Sequence, residues 1–154
     1  MLTVDINLKA MATTQYTNWP FRSMTKFNGR YLGVNENGLY EITGSDDNGE
    51  QIDAYIVLAQ SDFGIRNQKK IPFIDLGYEA QGNLMIELTP DDGTGQSYLV
   101  LSTKTNQQTK RIPVNPRIRG RYWLIKISNV EGCDFSLDSV SVAVITGSGG
   151  ISRF

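Results

Sequence analysis

The sequence contains no histidine and a single cysteine, Cys133. The first absence removes the Ser-His-Asp triad, the Cys-His dyad and every histidine-ligated metal site. The second removes an intrachain disulfide and a thiolate zinc cluster. Cys133 sits between Gly132 and Asp134 with no base at hand, so it reads as a small buried residue rather than a nucleophile. No apolar run approaches the ~20 residues that span a bilayer. Residues 1–10 lack the basic and apolar regions of a signal peptide. The net charge of −1 leaves no positive excess to displace counterions from nucleic acid. Neither a membrane nor nucleic acid is therefore expected as a partner. The 154 residues suffice for one domain with a small appendage.

What the chain does have is glycine, 15 in all, falling between short apolar runs. That spacing predicts an all-β chain with many turns. Leu2, Val4, Ile6 and Leu8 share one parity of an N-terminal strand. Residues 16–24 read as an irregular aromatic segment, because Pro20 interrupts it. Asn28-Gly29 and Asn37-Gly38 supply residues suited to tight hairpin turns and predict a meander of short strands. Ile52, Ala54, Ile56 and Leu58 alternate, as do Leu84, Ile86 and Leu88 and then Trp123, Ile125 and Ile127. Residues 103–110 are polar and read as a hairpin tip. In the last long run, Phe135 and Leu137 have one parity while Val140, Val142 and Val144 have the other. A two-residue period cannot change face without a slip, so a bulge is expected near Asp138-Ser139.

The expected fold is all-β: an antiparallel β-sandwich, jelly-roll-like, with a small N-terminal β-meander. Its divisions are an N-terminal arm (1–26), a meander packed on the core (27–50), the sandwich (51–146) and a flexible tail (147–154).

No constellation of residues points to catalysis. The pairs Asp46/Asp47, Asp91/Asp92 and Asp134/Asp138 match glycosidase carboxylates only in number, and Asp, Asn and Gly in such loops build turns. The acidic loops lack the calcium-loop spacing of an EF-hand. No catalytic, cofactor-binding or metal-binding residue is assigned, and no cofactor is expected. Two segments suggest contact with other proteins. One is the N-terminal segment, through Leu2, Val4, Ile6, Tyr16, Trp19 and Phe21, which would expose apolar area without a neighbour. The other is the basic stretch through Arg111, Arg117 and Arg119, in which Pro113 and Pro116 favour a rigid extended segment suited to an acidic partner.

Phe21-Arg22-Ser23-Met24, Phe27-Asn28-Gly29-Arg30-Tyr31-Leu32-Gly33 and Asn37-Gly38-Leu39-Tyr40-Glu41-Ile42-Thr43-Gly44 resemble a segment of tailed-bacteriophage virion proteins. So do Ile52-Asp53-Ala54-Tyr55-Ile56 and Asp62-Phe63-Gly64. Arg119-Gly120-Arg121-Tyr122-Trp123 and residues 129–140 are similar to the closing part of the same proteins. The resemblance covers roughly residues 16–145 and points to the tail-tip or baseplate (minor tail) structural family. It implies a non-enzymatic virion component of the phage tail, assembled in the host cytoplasm. It also implies other virion proteins as partners and a homo-oligomer within a symmetric assembly, with a host receptor as a further candidate contact. A receptor- or carbohydrate-binding module of the tail and a capsid decoration protein are the alternatives.

Overall fold

The computed structural model describes residues 3–7, 12–17, 19–147 and 151–154. Among them every regular element is a strand, and every strand pairing is antiparallel. The chain divides into two compact units, Met1–Gly44 and Ser45–Phe154.

In the first unit β1 (Thr3–Asn7) pairs with β2 (Ala12–Tyr16), and a separate meander runs through β3 (Ser23–Phe27), β4 (Arg30–Asn35) and β5 (Gly38–Glu41). Asn28 and Gly29 both have positive φ, 47° and 81°, the requirement of a two-residue turn that matches strand twist. The meander therefore begins at Ser23, within the segment expected to be irregular. A tight turn at 28–29 needs a strand before it as well as after. The second turn uses Glu36 and Asn37, where the Asn35 side chain accepts the Asn37 amide at 2.8 Å.

The second unit opens with a short hairpin, β6 (Asp46–Asp47) and β7 (Glu50–Gln51). The remaining strands are β8 (Tyr55–Ser61), β9 (Lys69–Lys70), β10 (Phe73–Ala80), β11 (Leu84–Pro90), β12 (Gln96–Val100), β13 (Gln108–Pro113), β14 (Trp123–Asn129), β15 (Phe135–Thr146) and β16 (Ile151–Arg153). They form two sheets, in the orders β12-β11-β14-β8 and β13-β10-β15-β16, with β9 also pairing β15. This is the all-β antiparallel sandwich expected from the alternating runs. Leu84, Ile86 and Leu88 of β11 and Trp123, Ile125 and Ile127 of β14 are buried and lie in register, Ile86 opposite Ile127 and Leu88 opposite Ile125. Ile74, Leu76 and Tyr78 of β10 and Val142 and Val144 of β15 complete the same core from the other sheet. The side-chain period of two places each set on one face, and stacking the two faces removes both from water.

The slip in β15 is present. Gly77 pairs with Ser139, but the next residue, Tyr78, pairs with Leu137, so Asp138 is the extra residue of a bulge. Phe135 and Leu137 can thus pack against the core together with Val140, despite their opposite parity.

Two local expectations are corrected. Residues 103–110 are not a hairpin tip: the chain leaves β12 in one sheet and enters β13 in the other. Residues 147–154, read as a flexible tail, end in β16, which pairs with Ala143, Val144 and Ile145. Phe154 extends the pairing through two backbone bonds with Val142, of 2.8 and 3.1 Å. The physical reason is that β10 and β9 occupy one side of β15, and the returning chain satisfies the donors and acceptors along the other.

Candidate interaction surfaces

Tyr16, Trp19 and Phe21 form an aromatic file. Tyr16 and Trp19 stack with centroids 4.1 Å apart, Trp19 meets Phe21 edge-on at 6.1 Å, and Phe21 lies 5.8 Å from Tyr40 of β5. Phe21 covers Gly33 so closely that a Cβ there would fall 2.7 Å from the ring. The three rings are half-buried. The exposed apolar residues of this unit lie elsewhere: Phe27 at 70% and Leu39 at 69% exposure, with Met24, Tyr31 and Val34 also exposed. Val4 is exposed on β1. Leu2 lies outside the described residues, and of Ile6 only the backbone is described, in β1 opposite Thr13. No described side chain of this unit is fully buried; Gly33 is the one buried residue among those described.

The basic stretch is not extended along its length. Asn115-Pro116-Arg117-Ile118 turns: the Asn115 side chain accepts the Arg117 amide at 3.0 Å, and its carbonyl accepts that of Ile118 at 3.3 Å. Proline at the second position pre-sets such a turn. Ile118 is buried and anchors it, leaving Arg117 and Arg119 exposed on either side. Arg111 is engaged within the chain. Its Nε and Nη2 donate to the two carboxylate oxygens of Asp75, at 2.7 and 2.8 Å, and its guanidinium lies 4.0 Å from the Phe73 ring centre. Asp75 raises the guanidinium pKa further through this hydrogen bonding. The sequence brings Arg117 and Arg119 to one loop but commits Arg111 to a cross-strand pair between β10 and β13.

Two polar anchors had no signal in residue spacing. Lys69 is 1% exposed. Its ammonium donates to the Arg121 carbonyl, and its backbone exchanges bonds of 2.9 and 3.1 Å with Gly120, tying down the end of the basic loop. Burial lowers its pKa, with Asp62 opposing the shift. Asn129 accepts the Ala54 amide at 2.9 Å and donates to the carbonyls of Ile52 (2.8 Å) and Cys133 (3.0 Å), joining the start of β8 to the loop before β15. Both are polar groups whose partners come from far along the chain.

The acidic loops satisfy their own backbone. Asp46 accepts the Gly49 amide at 2.8 Å. Asp92 accepts the Thr94 hydroxyl at 2.6 Å and amide at 2.9 Å, which holds its carboxyl below the usual range. Among the described residues no three His, Cys, Asp or Glu side chains gather as metal ligands. Cys133, expected to be buried, is half-buried, because the loop before β15 lies at the edge of the core. Its thiol donates to the Asn83 carbonyl at 3.3 Å.

No family model, curated protein or solved structure matches this chain. The functional reading rests on its own surfaces. One of these is made by the exposed apolar residues of the meander. The second is a slot in the sandwich between β8 and β15, a cavity of about 190 Å³ lined by Leu58, Phe63, Trp123, Ile125, Val140 and Val142 and bordered by Phe154.

Proposed function

We propose that this chain is a structural, non-enzymatic subunit of a tailed-phage virion, at the tail tip or baseplate, that joins neighbouring subunits of a symmetric assembly. The observation that carries this reading is the first unit. Its meander has three short strands, about the minimum for an independent sheet, and leaves Phe27, Leu39, Met24, Tyr31 and Val34 exposed. By the strand register Phe27, Val34 and Leu39 share one face of the meander and Met24 and Tyr31 the other. Exposed apolar residues gain by being covered, and in an assembly a neighbouring subunit covers them. The resemblance of residues 16–145 to tail proteins supplies the setting. The second unit has a buried core of its own.

The test is to label the chain in the particle and image it, then to delete residues 1–44. A label on the tail tip or baseplate, lost on deletion while residues 45–154 remain folded, supports the proposal. A label on the head favours the decoration alternative. A glycan bound by the isolated chain on an array, with unchanged incorporation of the truncated form, favours the receptor-binding alternative.

A further inference from the structure

We propose that residues 151–154 are an exchangeable strand, and that their seat on the sandwich accepts the same segment from a second copy of this chain. The seat has two parts. One is the side of β15 from Val142 to Ile145, which pairs with Phe154 and β16. The other is the apolar slot of about 190 Å³ between β8 and β15, at whose mouth Phe154 lies 5.8 Å from the Phe63 ring.

Three features make this seat suited to exchange. The first is that it cannot be left open without cost. Without residues 151–154, β15 would present an unpaired apolar edge from Val142 to Ile145 beside an uncovered slot leading to Trp123 and Ile125, and a bare edge of this kind recruits another strand. The second is that the occupant is small and incompletely held: three ladder residues and one ring, with Phe154 still 50% exposed. The third is its tether, Gly147-Ser148-Gly149-Gly150, made up of glycine and serine alone. Every copy carries the same segment and the same seat, so the exchanged contact reproduces the internal one atom for atom. The balance between the two is then set by the tether and by the local concentration of neighbours, which an assembly raises.

The inference deepens the reading of this chain as a subunit that joins neighbours. It is tested on the purified chain, so its failure leaves the particle-labelling result standing, and the reverse also holds.

Deleting residues 147–150 leaves Thr146 alone between Ile145 and Ile151, which are paired in the native ladder. One residue is fewer than the two of the tightest hairpin, so the strand cannot fold back on its own sheet. Light scattering is expected to show a shift from monomer to dimer or longer closed and open chains, and adding Phe154→Ala is expected to reverse the shift. A folded, monomeric deletion variant overturns the proposal, as does association that Phe154→Ala leaves unchanged. A second measurement keeps the native tether and does not depend on the folding of the deletion variant. In a Cys133→Ala background, Ala143→Cys and a size-tagged Arg153→Cys chain, altered at two residues that face each other across the β15–β16 ladder and keeping both Phe63 and Phe154, are purified separately, mixed and oxidised at rising concentration. Exchange yields a disulfide-linked dimer of unequal chains in excess of what either variant forms alone. No such excess overturns it.

Discussion

Gly77 lies directly beneath Ser139 at the bulge of β15: a Cβ on Gly77 would collide with the Ser139 hydroxyl and stand 3.1 Å from an Asp138 carboxylate oxygen. The extra residue at Asp138 presses the bulged strand onto β10, and only a residue without a side chain leaves room. Gly77→Ala is expected to destabilise the sandwich by about 1–3 kcal/mol through overpacking. Ser139→Ala, which removes the nearest atom, should recover most of that loss in the double variant. Urea titration of the four proteins of the cycle checks this, and simple additivity would show that the contact is not the cause.

Trp123 is buried between the two sheets, and its indole N–H donates to the Gly120 carbonyl at 3.2 Å. Trp123→Ala is expected to cost about 3–5 kcal/mol from lost burial and the cavity left behind. The adjacent Tyr122 is exposed, and Tyr122→Ala should change stability by no more than about 0.5 kcal/mol outside its ring contact with Arg121. Denaturant midpoints of the two variants should therefore separate widely.

Tyr78 is buried with its hydroxyl lacking a well-formed hydrogen bond. It faces Ser102, whose hydroxyl donates to the Lys104 carbonyl at 2.9 Å and accepts from Gln108 at 2.9 Å. Burial raises the phenol pKa above its ordinary value of 10.0. The native state then holds the proton more tightly than the unfolded chain. Its contribution is complete below the unfolded pKa and is lost as pH rises through the folded one. Stability is expected to fall above about pH 10 through this group. Tyr78→Phe should flatten that fall and, by removing a buried unpaired hydroxyl, raise stability at neutral pH by about 1 kcal/mol. Thermal melts at neutral pH and across the alkaline range test both parts.

The three arginines of the basic stretch should behave differently. Arg111 serves the fold, and a pair whose guanidinium lies open to solvent contributes little, so Arg111→Met should lower stability only slightly. Arg117 and Arg119 are exposed beside a turn anchored by Ile118. Arg117→Glu with Arg119→Glu should leave the melting temperature unchanged. If the chain serves as the tail subunit proposed above, the double variant is expected to weaken incorporation into the particle, more at low salt than at high salt, because ions screen the new repulsion. Incorporation that ignores both charge and ionic strength would remove this loop from the interface.

The local sequence determined the all-β class, the meander, the inward faces of β11 and β14 and the bulge at Asp138. Each is written in a short-range code: alternation with period two, the Asn28-Gly29 turn, and a parity change that has no other resolution. Tertiary structure alone decided the rest. It set Phe21 over Gly33, so that the aromatic segment became a half-buried file, and left Phe27 and Leu39 exposed. It brought Asp75 across from β10 to claim Arg111. It buried Lys69, whose carbonyl partner is 52 residues away, and it laid residues 151–154 along β15. Alternation tells which face a residue occupies, but not which strand lies beside it. A lysine, an arginine or a short terminal run becomes buried, paired or stranded only when a distant segment arrives with the matching donor, acceptor or open edge.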